Sequence, residues 1–218
     1  MDSKGVVSMA KSQIIKDVAT NKISLEEALQ RLLVISMSLD NFELENWITE
    51  ELNGYRDRSK MPVYRRNIGY RLLYSGINGN FQISNNPLPI EWLPEQIRDR
   101  VNSLDAKESI RIIEQVIENK EKVGKDLTNL ASLIYKNTGV QCTQIIQEYS
   151  NISYQRIVSN VKTKLLQILI NIEQEFGELD SLDINIKSKT EDQVGLLNEK
   201  LISVISFDGM QEEYENEQ

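Results

Sequence analysis

Between Ser153 and Phe176 the apolar residues recur with helical spacing: Ile157, Val158, Val161, Leu165, Ile168, Leu169, Ile172 and Phe176. The 3.6-residue period holds for roughly six turns. Gly177 stands where such a helix would stop. A helix with so broad an apolar face has to bury it against other elements. It is expected to be the central packing helix, with the rest of the chain arranged around it.

Upstream, three shorter helices are expected. The first covers residues 9–20, with Ile14, Ile15 and Val18 inward. The second starts at Ser24, where Ser24 and Glu27 have capping-box spacing. Leu25, Ala28, Leu29, Leu32 and Leu33 form its stripe. The third starts at Asp40, paired in the same way with Glu43, and ends at Gly54. Short turns between them imply an antiparallel helical N-terminal lobe, residues 1–54.

The texture changes at Tyr55. All four prolines (Pro62, Pro87, Pro89 and Pro94) lie in the next 40 residues. Strands are expected over 66–74 and 80–84, with Asn78–Gly79 as the hairpin dipeptide. The run Pro87–Leu–Pro–Ile90 fits neither helix nor central strand and is expected to lie extended along the surface. Pro94 suits a helix's first turn. Asp105 and Glu108 offer a further capping box, ahead of Ile110, Ile113 and Ile117. Asp126 is placed to cap a short helix carrying Leu127, Leu130 and Ile134. Residues 140–149 read as strand or helix, and a last helix covers 191–205 from Thr190. The tail from Phe207 holds five acidic residues and no basic ones, a composition of disorder. The expected class is α+β, predominantly helical, with a 55–206 body holding a small antiparallel sheet and the long helix. The whole is compatible with one domain over 10–209.

Composition narrows the chemistry. The 218 residues contain no histidine, which excludes His-based triads, Cys–His dyads and His metal sites. Cys142 is the only cysteine, so neither an intramolecular disulfide nor a thiolate zinc cage can form. No phosphate-binding glycine motif occurs. The N-terminus lacks a signal-peptide core, and no apolar run could span a membrane. The expectation is a cytoplasmic protein with no cofactor, no metal site and no catalytic residue that can be named.

Net charge is −8, yet residues 56–71 run the other way. Arg56, Arg58, Lys60, Arg65, Arg66 and Arg71 face only Asp57, with Tyr55, Tyr64, Tyr70 and Tyr74 interleaved. Basic residues among aromatics can bind phosphates and stack bases. They can equally pair with acidic neighbours. In a strand, Arg65 and Arg66 would point to opposite faces. The acidic cluster Asp40, Glu43, Glu45, Glu50 and Glu51 could hold Mg²⁺ only if its members shared a face, and their spacing favours a solvated helix. Lys162 and Lys164 on the long helix read as solubility charges.

Three separated motifs carry a family resemblance. They are Trp47–Ile–Thr–Glu–Glu–Leu–Asn–Gly–Tyr55, then Pro62–Val–Tyr–Arg65, then Asn86–Pro–Leu–Pro–Ile90. With Val161–Lys–Thr–Lys–Leu–Leu166 they resemble the AbiTii family over roughly residues 10–209, in which an Arg often stands where this chain has Lys162. The resemblance marks Trp47, Glu51, Asn53, Gly54, Pro62 and Lys162 as signature positions, with a structural role standing beside a functional one. It implies a role in abortive infection, as a non-enzymatic component that binds the partner protein of a two-component system or a phage or host protein. Self-association is compatible with that role. The alternatives are a nucleic-acid binder or nuclease-like effector using Tyr55, Arg56, Arg58, Tyr64, Arg65 and Arg66, or a ligand sensor.

Overall fold

In the computed structural model, which describes residues 11–207, the chain is predominantly helical and carries one antiparallel sheet of four strands, the α+β class expected. Two compact units form. Among the described residues, one comprises 11–54 and 160–207, the other Tyr55–Ser159. Met9 and Ala10 of the first expected helix, and the acidic tail after Phe207, lie outside the described residues.

The first unit opens with α1 (Gln13–Ala19), α2 (Leu25–Ser36) and α3 (Phe42–Asn53). Ser24 caps α2 by accepting the Glu27 N–H, and Leu25, Ala28, Leu29, Leu32 and Ile35 are buried beneath. The cap of α3 is Asn41, not Asp40. Asn41 accepts from the Leu44 N–H while its amide donates to Asn198 Oδ1. A carboxylate could do only the first, since it has no donor. Asp40 is displaced to φ 50°. Gly54 ends α3 at φ 84°, ψ 157°, backbone space that is essentially glycine's alone.

The second unit holds the sheet. Its hairpin joins β1 (Tyr70–Asn78) to β2 (Phe81–Pro87). Asn78 pairs with Phe81, so the turn residues are Gly79–Asn80, one position later than expected. Positive φ at Gly79 alone matches a type II′ turn. β1 starts at Tyr70 rather than residue 66, because Val63–Arg65 closes a 3-10 turn and Asn67 takes φ 48°. Pro87 is tolerated because β2 is an edge strand. The run after it keeps to the surface at Pro89, which is exposed, but Leu88 turns inward: it is buried and its N–H donates to Leu72 O.

After Pro94 comes α4 (Glu95–Asn102), then α5 (Ile110–Asn119). Ser109, not Asp105, caps α5. Asp105 is already engaged, by the Asn67 N–H and by Arg58 at 3.0 Å. A short strand that the sequence does not signal, β3 (Gly124–Asp126), precedes α6 (Ala131–Thr138). Residues 140–149 resolve as strand β4 (Gln141–Tyr149). The sheet order is β2-β1-β4-β3, antiparallel throughout. Leu72, Tyr74 and Ile145 share a core with Leu93, Val101 and Ile134.

The long helix, α7 (Asn151–Phe176), begins in the second unit and ends in the first. Ile157, Val161, Leu165, Ile168, Leu169 and Ile172 are fully buried. At about 1.5–3 kcal/mol per buried aliphatic side chain, this stripe is a large contribution to stability. Near its end Glu173 accepts from the Ser12 N–H, the Ser12 hydroxyl and Lys11, each at 2.6 Å. That fixes the residue preceding α1. The last helix, α8 (Glu191–Ser206), starts with a complete capping box between Thr190 and Gln193 and packs with α3.

Candidate functional site

The basic segment is built inward. Arg65 ends its 3-10 turn fully buried, and its guanidinium donates to Ala106 O at 3.1 Å and Glu108 O at 2.7 Å. Its carbonyl accepts the Ala106 N–H, so side chain and backbone grip the same strand of chain. On either side the Tyr55 N–H donates to Lys107 O and the Ile68 N–H to Leu104 O. The Tyr55 ring lies under the guanidinium, 5.1 Å from centroid to Cζ, a cation–π geometry. Tyr55 and Tyr64 are buried.

Three further groups adjoin Arg65. Tyr149, at the end of β4, donates to Glu108 Oε1 at 3.4 Å, and its ring lies 5.4 Å from that of Tyr154 in α7. Burial, reinforced by the Glu108 charge, pushes the Tyr149 phenol up to about 12. Tyr154 is raised further, by burial first and then by Glu108, while Arg65 acts the other way. The Tyr154 hydroxyl and Glu108 Oε2 are buried, close enough to interact, yet neither makes a hydrogen bond of full geometry. The cluster therefore holds two phenols neutral beside a guanidinium and a carboxylate. The sequence reading missed Glu108, Tyr149 and Tyr154. Glu108 looked like a capping residue, and only the five-residue spacing of the tyrosines across a strand-to-helix junction hinted at convergence.

The other cations diverge. Arg66 folds back, donating to Met61 O at 2.6 Å, and Arg58 pairs with Asp105. Arg71 pairs with Glu148. Arg56 and Lys60 remain exposed, and Pro62 is half-buried as the residue before the 3-10 turn. Of the signature run, Trp47 and Glu51 are buried in the first unit, Asn53 is exposed, and Gly54 closes that unit before Tyr55 opens the next. Lys162 donates to Ala19 O at 3.1 Å and Asn21 Oδ1 at 2.6 Å, capping the end of α1. Lys164, buried, donates to the Val204, Ile205 and Phe207 carbonyls and caps the end of α8. Both positive charges sit where a helix dipole favours them.

Cys142 is half-buried and burial raises its thiol, which lowers the thiolate fraction that reactivity requires. Among the described residues no three His, Cys, Asp or Glu side chains gather as metal ligands, and no helix is long and apolar enough to cross a membrane.

What the fold and this cluster define is an α+β protein of two units that seats most of its basic segment on its own chain. The family model described as AbiTii matches residues 11–195, and the chain belongs to the AbiTii family. Membership implies a role in abortive-infection phage defence. No curated protein and no solved structure matches the chain.

Proposed function

We propose that the protein serves abortive infection by binding another protein, either the second component of a two-protein system or a phage or host protein. One observation carries this reading. Val34, Met37 and Phe42, on α2, at its end and at the start of α3, are 50%, 72% and 68% exposed. Val34 and Met37 are three apart and share a helix face. Three large apolar side chains left exposed within nine residues of chain, across the α2–α3 connection, are what a protein-contact site would draw on. The placement of the basic segment speaks for the same reading, because phosphate binding needs guanidinium groups that are free to reach out.

The test is affinity recovery from phage-infected cells of the wild-type chain and of a Met37→Asp, Phe42→Asp double variant. The wild type is expected to bring down a stoichiometric protein that the variant loses, together with phage protection. Recovery of the wild type alone, with and without phage, overturns the proposal. So does protection that survives in the variant.

A further inference from the structure

The two edges of the sheet are treated differently. β2 is blunted by Pro87, which has no N–H, by a register irregularity opposite Tyr74 and Gly76, and by a positive φ at Asn85. β3 has none of these devices. Val123 O accepts the Tyr149 N–H and the Leu127 N–H donates to Ile145 O. In an antiparallel ladder the alternate residues then turn their N–H and C=O groups away from the partner strand. Gly124 and Asp126 therefore present backbone donors and acceptors outward, and among the described residues nothing bonds them there.

A groove lies on each face of this edge. On the core face, Ile97, Arg100 and Val101 of α4 and Lys125 to Leu130 line about 460 Å³. Ile97, Val101, Leu127 and Leu130 supply its apolar lining, and among its charged residues the cations Arg100 and Lys125 outnumber Asp126, whose carboxylate already accepts the Thr128 N–H. Both cations are exposed, and neither has an ion-pair partner among the described residues. On the opposite face a smaller groove of about 260 Å³ runs past Ile146 and Glu148. An added strand sends alternate side chains to the two faces, and here each face has a recess to receive them.

We infer that the free edge of β3 takes an extended, acidic segment of a partner protein as a fifth strand, its carboxylates meeting Arg100 and Lys125. This rests on the protein-binding reading above and gives it a second, separate surface. Main-chain bonds to Gly124 and Asp126 would supply affinity, and the two cations would select for acidity. In a chain of net charge −8, a cationic pair also separates acidic segments from the general repulsion of the surface.

The probe is a fluorescein-labelled heptapeptide of alternating valine and glutamate, with a valine–lysine counterpart, titrated into the full chain and followed by anisotropy. The acidic peptide is expected to bind and the basic one not. Arg100→Glu with Lys125→Glu should weaken the acidic peptide at least about tenfold. N-methylation of alternate peptide nitrogens should abolish binding to the unaltered protein, a readout independent of any variant. Amide exchange at Gly124 and Asp126 should slow on binding. Absence of binding, equal binding of the two peptides, or an undiminished N-methylated peptide overturns the inference. If the infected-cell complex still forms in that event, only the edge assignment fails. If peptide binds as expected and no complex is recovered, only the broader reading fails.

Discussion

Arg65 in the sheet-bearing unit and Lys164 in the helical unit perform the same task on different geometries. Each is a buried cation whose partners include main-chain carbonyls. Arg65 meets two carbonyls of a loop and stands over the Tyr55 ring. Lys164 meets three carbonyls converging at the end of α8. A planar fork suits the first arrangement and a compact ammonium the second. The difference teaches that the residue type here follows the shape of the acceptor set. Read from sequence, one looked like a phosphate contact and the other like a solubility charge.

The largest effect should come from Arg65→Met, which strands the Ala106 and Glu108 carbonyls and should cost about 3–5 kcal/mol in urea denaturation. Arg65→Lys should recover less than half, and full recovery would break the distinction drawn above. Lys164→Met should cost about 2–3 kcal/mol, and amide exchange in the last turn of α8 should quicken. Lys164→Arg should not restore it.

A smaller, pH-dependent effect belongs to Glu173. Burial alone would raise this carboxyl, but the hydrogen bonds from Lys11 and Ser12 hold it below its ordinary value. A depressed folded-state pKa stabilises above the unfolded value and is lost as pH falls through the folded one. The Tm difference between wild type and Glu173→Gln should thus be full at neutral pH and shrink in acid. A gap that widens in acid contradicts the assignment. The smallest effect should be at the more exposed Lys162, where substitution by Met should cost at most about 1 kcal/mol and by Arg almost nothing.

The helices were legible because their signals are local. The apolar period of α7 and the caps at Ser24 and Thr190 need no distant partner. Asn41 and Ser109 displaced Asp40 and Asp105 for tertiary reasons: one cap also bonds Asn198, and the rejected Asp105 pairs with Arg58. β3 is three exposed residues with no alternation, a strand only because β4 lies beside it. The site was half legible. Its charge and tyrosines stand out in the sequence, but the acceptors of Arg65 are backbone carbonyls 41 and 43 residues away. Main-chain acceptors leave no mark in a string of side chains.

The first unit takes its chain from both sides of the second, and this orders events on the ribosome. Tyr55–Ser159 has been wholly synthesised before Asn160 is added, so the unit begun first is completed last. During that interval α2 and α3 have each other but lack α8, which α3 packs against. Domains fold as units during synthesis. Once the second unit has folded, the long interruption has already lost its conformational freedom, and the entropy of closing the loop between Gly54 and Asn160 falls accordingly. A transcript cut short before Asn160 would release a finished insert flanked by an unfinished host.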